Sequence, residues 1–128
     1  MSHTIISTDK APAAIGTYSQ AVRAGDLLFI SGQIPLNPES MEMVSDDFEE
    51  QAVQAFTNLK AVVDAADASM EQIIKINISM TDLSNFAIVN TVMSTFFSEP
   101  YPARAAVGVA ELPKGSQIEI EAIVSFAG

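Results

Sequence analysis

The sequence predicts an α+β fold, a mixed β-sheet with two helices packed on one face. Three observations lead there: two segments repeat apolar residues at helical spacing, β-branched or alternating segments surround them, and no linker or internal repeat divides the chain. At 128 residues the chain suits a single domain over 1–128, because two halves would each be too small to bury a core.

Taken in order, residues 18–24 and 27–31 flank Gly25-Asp26 and read as a hairpin, with an additional strand near Ile5. Pro35-Leu36-Asn37-Pro38 is a turn. Phe48, Ala52, Ala55, Leu59, Val62, Val63 and Ala66 then form a stripe that predicts a helix over roughly 47–66, with Asp46 and Glu49 as its capping box. Residues 73–81, rich in isoleucine, follow as a strand. The second helix carries Phe86, Val89, Val92, Met93, Phe96 and Phe97. It is capped by Asp82 or Ser84 and stopped by Pro100 and Pro102. Residues 103–110 and 118–125 are strands on either side of the Leu112-Pro113-Lys114-Gly115 turn.

Side chains alternate between faces along a strand. Ile74, Ile76, Ile78 and Met80 share one face, and Ile73, Lys75, Asn77 and Ser79 the other. Val107 and Val109 oppose Arg104, Ala106 and Gly108, while Ile118 and Ile120 oppose Glu119 and Glu121. The bulky face fits beneath the helices. The mixed face, on which Arg104, Glu119 and Glu121 are expected together, suits a subunit interface with a polar cleft.

Composition narrows the chemistry. Without cysteine there is no disulfide, thiolate metal site or cysteine nucleophile, and the one histidine, His3, is expected in a mobile tail. Six basic against sixteen acidic residues, a formal net charge of -10, oppose binding to nucleic acid or to an anionic membrane. No apolar run approaches the roughly 20 residues of a membrane span, and the start lacks a secretory pattern, so a cytoplasmic location is expected.

Among the remaining groups, Arg104 sits in Pro102-Ala103-Arg104-Ala105, where small neighbours leave room beside a guanidinium able to grip a carboxylate bidentately. A structural salt bridge is the competing reading. Glu119 and Glu121 could orient water or move a proton, or be a solvated strand face. Tyr18 offers a phenol, Ser31 and Gly32 follow a strand, and Asn90 is a polar position in the second helix; each also has an ordinary structural use. Met41, Met43, Met70, Met80 and Met93 read as core or interface filler, and nothing around Lys60 or Lys75 marks a Schiff-base lysine.

Several segments together resemble the Rid family, also called YjgF-like or reactive-intermediate imine/enamine deaminases and known too as the endoribonuclease L-PSP family. They are Ala14-Ile15-Gly16-Thr17-Tyr18-Ser19-Gln20-Ala21, Ile30-Ser31-Gly32-Gln33-Ile34-Pro35-Leu36, Asp82-Leu83 through Val89-Asn90, Pro102-Ala103-Arg104, and Leu112-Pro113 with Ile118-Glu119-Ile120-Glu121-Ala122-Ile123. They follow the family's order and span essentially the whole chain. The resemblance implies a chorismate-mutase-like fold in a homotrimer whose sheets line a central barrel, with sites in the clefts between subunits. It assigns Arg104 to the substrate carboxylate, Glu119 to the attacking water, and Tyr18, Ser31, Gly32 and Asn90 to the pocket. It implies hydrolysis of 2-imino or 2-enamino acids to 2-keto acids and ammonia, with no metal or organic cofactor and no nucleic-acid or membrane partner. A ribonuclease or translation inhibitor and a non-catalytic metabolite-binding trimer are the rival readings. The chain departs from the family in three places. Ala106 stands where close relatives often carry cysteine, Thr17 where proline is common, and the stretch between Phe97 and Pro102 is short.

Overall fold

The computed structural model describes residues 3–127. Six strands and two helices follow in the order β1 (His3–Ile6), β2 (Ala21–Ala24), β3 (Leu27–Gln33), α1 (Phe48–Ala65), β4 (Ile73–Met80), α2 (Phe86–Phe96), β5 (Ala103–Gly108) and β6 (Ile118–Ser125). They build one mixed sheet in the order β1-β2-β3-β6-β4-β5. All neighbours are antiparallel except β4 and β5, which run parallel with α2 between them in sequence. The α+β architecture is the one the periodicities predict. Among the described residues no helix is long and apolar enough to cross a membrane.

Local chemistry explains the elements. Gly25, at φ 61, closes the β2–β3 hairpin in a left-handed conformation that a Cβ disfavours. Helix α1 starts one residue later than its sequence signature: Asp47, not Asp46, is the cap, and it accepts from Glu50 N at 3.0 Å. The Asp46 carbonyl is instead used by Gln117, whose side-chain amide donates to it at 2.8 Å. Glu49 and Glu50 complement the positive end of the helix. Asp82 accepts from Ser84 N and caps a short 3-10 turn, Leu83–Asn85, that leads into α2. His3 is not in a tail, because β1 pairs it with Ala24 at the edge of the sheet.

The core lies between the helices and one face of the sheet. Phe56, Leu59, Val62 and Val63 of α1 meet Leu28, Ile76, Ile78, Met80, Ile118, Ile120 and Val124, all essentially without solvent contact. Phe56 also stacks on Phe96 at 5.5 Å and meets Phe97 edge-on at 6.2 Å, joining α1 to the end of α2. Buried amides fix the loops. Asn58 donates to the carbonyls of Ile34 and Leu36, and Gln51 links Ser45 to Gln117. Gln20 holds the 8–12 segment through Thr8, Ala11 and Pro12. Among the described residues no buried side-chain polar atom lacks a partner.

Two strand assignments change. The register of β4 against β6 slips between Ile73 and Lys75, so Ile73 turns into the core and Ile74 is left 49% exposed. Strict alternation had put Ile74 with Ile76 and Ile78. In β5 the faces are the reverse of the expectation. Parallel pairing sets Arg104 beside Ile76 and Ala106 beside Ile78, both on the helix side, while Val107 is 51% exposed on the other. That other face of the sheet carries Leu27, Phe29, Val107, Lys75, Asn77 and Glu121, and no element among the described residues covers it.

Candidate active site

Arg104 projects from the edge strand β5 alongside α2. Its Nη1 donates to Asn90 Oδ1 at 2.7 Å and lies 3.7 Å from Met93 Sδ. Its guanidinium carbon sits 4.8 Å from the centroid of the Phe86 ring. Although the chain has sixteen acidic residues, the sole ion pair among the described residues is Lys60–Asp64, at 2.9 Å. Arg104 therefore has no salt-bridge partner within the chain among the described residues. The guanidinium opens instead into a groove of about 520 Å³ lined by Asn90, Met93, Ser94, Tyr101, Pro102 and Arg104. An uncompensated fork of donors at the edge of a groove is suited to a small carboxylate.

A second group lies where β3 and β6 meet. A Cβ built on Gly32 would fall 2.7 Å from the Glu119 carboxyl group, so that carboxyl rests directly over the glycine. Burial raises the Glu119 pKa above the usual carboxylate range, and the charge of Glu121 raises it further. Glu121 is two residues along the same strand face and is held by Asn77 Nδ2 at 3.0 Å. Ser31 donates through Oγ to the Ser19 carbonyl at 2.6 Å, which fastens the segment carrying Tyr18 to β3. Tyr18 is half exposed and borders a small hollow beside Gly32, Gln33 and Ile34.

The predicted residues therefore fall into two groups. Arg104 and Asn90 are together, and so are Tyr18, Ser31, Gly32 and Glu119. The groups are not joined within one chain. Glu119 pairs with Ser79 and Glu121 with Asn77, on the sheet face opposite Ile76 and Arg104. The expectation that Arg104 shares a face with both glutamates is overturned by the parallel β4–β5 register. Sequence reasoning also missed Phe86 and Met93, which had been assigned to packing alone, and Tyr101. The signal was available: Phe86, Asn90 and Met93 are spaced i, i+4, i+7 and line one face of α2.

The Gly32–Glu119 contact has a measurable consequence. In Gly32→Ala the added methyl meets the far end of a flexible side chain, so the carboxyl group must shift while the backbone need not. Turnover is expected to fall by roughly tenfold or more with the melting temperature nearly unchanged. Full activity in that variant would remove Glu119 from the reacting geometry.

Comparison with known proteins extends this picture. The family model described as Endoribonuclease L-PSP matches residues 8–126. A protein of Dermatophagoides farinae named 2-iminobutanoate/2-iminopropanoate deaminase is 51% identical over 94% of this chain and 94% of its own. The crystal structure of RidA from the Antarctic bacterium Psychrobacter sp. PAMC 21119 superposes with a TM-score of 0.92 at 54% identity, covering 95% of this chain and 98% of that one. E. coli TdcF with bound serine superposes at 0.92 with 45% identity, covering 97% and 99%.

Proposed function

Since this chain belongs to the Endoribonuclease L-PSP family, we propose that it is a hydrolytic deaminase that converts 2-iminobutanoate- and 2-iminopropanoate-type acids to 2-keto acids and ammonia. The observation that carries this reading is Arg104, held by neutral partners and left without a carboxylate of the chain's own. A relative that binds serine, and others named for imine deamination, point the same way: small molecules bearing a carboxylate beside a nitrogen-bearing carbon. Arg104 fixes the carboxylate of the substrate. Glu119 accepts a proton from water as the water adds to the iminium carbon, giving a carbinolamine. Glu119 returns that proton to the nitrogen and, as the C–N bond breaks, accepts the hydroxyl proton, releasing ammonia and the 2-keto acid. Fixing the imine beside one water makes the encounter effectively intramolecular. Tyr18, Ser31 and Gly32 shape the water side of the pocket.

The reaction needs both groups of residues, so we infer a site between copies of the chain, in a closed ring of three. The open sheet face favours such assembly: large apolar side chains such as Phe29, 47% exposed, and Val107, 51%, lie there beside polar residues. A ring in which each chain meets the next through unlike surfaces can set Arg104 of one copy against Glu119 of its neighbour. The test is complementation. Arg104→Ala and Glu119→Gln proteins are each expected to be inactive, but refolded together they rebuild one complete cleft in every mixed trimer. Random assembly at equal amounts should then recover roughly a quarter of wild-type turnover. Mixed trimers confirmed by mass spectrometry but showing no recovery would overturn the shared site.

RNA cleavage is the weaker reading. Six basic residues in a chain of net charge -10 offer little to a phosphate backbone.

A further inference from the structure

We propose that Phe86, Asn90 and Met93 of α2 are positioning residues that hold Arg104 in place without neutralising it, leaving the Nε–Nη2 edge of its guanidinium as the substrate's carboxylate fork. The proposal rests on the deaminase reading and assigns how its anchoring arginine is prepared.

The geometry is specific. The three residues lie on one helix face and approach Arg104 in three different ways. The ring of Phe86 stands 4.8 Å from the guanidinium carbon, the Asn90 amide oxygen accepts from Nη1 at 2.7 Å, and the Met93 thioether is 3.7 Å from the same nitrogen. Phe86 is partly buried against the core and Met93 is 5% exposed, so both are fixed by packing before any ligand arrives. All three partners are neutral. An aspartate at any of these places would form the salt bridge that Arg104 lacks.

A guanidinium can fork a carboxylate along two edges, the Nη1–Nη2 end or the Nε–Nη2 side. Nη1 carries two N–H groups, and both Asn90 Oδ1, at 2.7 Å, and the Met93 thioether, at 3.7 Å, accept from this nitrogen, which spoils the first. Nε and Nη2 have no hydrogen-bond partner among the described residues, which leaves the second open. The neutral amide thus sets the orientation of the fork and preserves its full charge.

Asn90→Asp and Asn90→Ala separate this role from a structural one. Aspartate keeps the acceptor and nearly the shape of asparagine, whereas alanine removes both. A structural asparagine therefore tolerates Asp better than Ala. Positioning without neutralisation gives the reverse order, because Asp pairs with Arg104 and competes with the substrate. Asn90→Asp is expected to raise KM for enzymatically generated 2-iminobutanoate by about 50-fold or more, and Asn90→Ala by roughly fivefold, with kcat less affected. The melting temperature of Asn90→Asp should equal or exceed that of wild type. Phe86→Leu, which keeps apolar bulk without a ring face, should raise KM about fivefold, and Phe86→Tyr should restore it. Calorimetric binding of 2-ketobutanoate, the product carboxylate, should weaken in the same order. Asn90→Asp with wild-type KM and product affinity would overturn the positioning role. Absence of imine turnover by the wild-type protein would overturn the deaminase reading instead, while the order of carboxylate affinities still decides the role of Asn90.

Discussion

Arg104→Ala is expected to lower kcat/KM for 2-iminobutanoate by about two decades or more while leaving the fold and the oligomer intact. The side chain is exposed, sits on an edge strand and donates from one nitrogen, to the exposed Asn90 at 2.7 Å and more weakly to the Met93 thioether at 3.7 Å. Truncating it opens no cavity in the core, which is filled by Phe56, Leu59, Ile76, Ile78 and their neighbours. What is lost is a bidentate, charge-assisted contact, whose removal costs on the order of 3 kcal/mol where water is excluded. Arg104→Lys should recover little, because an ammonium cannot keep one donor on Asn90 and present a planar pair to the substrate. If Arg104 were only a strut between β5 and α2, the melting temperature would drop and residual activity would follow the folded fraction. Thermal unfolding, light scattering and turnover on the same preparation separate the two. Near wild-type turnover in folded Arg104→Ala would sink the mechanism.

The opposite faces of Arg104 and Glu119 show where a sequence stops being legible. Both helices were readable because each repeats apolar residues over several turns, and such a stripe has to be buried against the rest of the fold. The β2–β3 hairpin was readable from Gly25-Asp26, since a left-handed turn is local chemistry. The insertion of β6 between β3 and β4 was not readable, because pairing across distant segments leaves no local trace. Nor was the orientation of β5. Alternation says which residues share a face, not which face meets the core, and Ala103, Ala105 and Ala106 are too small to break the tie. The two valines suggested a buried side, yet Val107 points away from the helices and leaves Arg104 toward them. The slip at Ile74 was hidden for the opposite reason, since isoleucines on both sides of it suit either face. For the site itself, residue types and order were informative, and their division into two groups was not. The sequence reading put Arg104 and both glutamates on one face, in a cleft between subunits; the structure puts them on opposite faces of the sheet.

Glu119→Gln is expected to abolish most turnover while preserving affinity for the product carboxylate, the reverse of the Arg104→Ala pattern. Glutamine is close to glutamate in shape and can still rest over Gly32, but it cannot accept a proton from the attacking water. General-base loss costs typically about two to four decades in kcat. Stability should move the other way. Burial, and secondarily Glu121, hold the Glu119 pKa above its unfolded value. In the window between the unfolded and folded pKa values the native state therefore binds more protons than the unfolded one, and stability falls as pH rises through it. Above that window the buried charge remains a cost, so Glu119→Gln should melt no lower than wild type at neutral pH and lose that pH dependence. The wild-type acid limb of kcat/KM should report Glu119, with activity lost as pH falls and the carboxylate is protonated. Glu121→Gln removes a like charge on the same strand face and should shift that limb to lower pH without abolishing turnover. An unchanged acid limb in Glu121→Gln, or full kcat in Glu119→Gln, would show that the proton leaves the attacking water by another route.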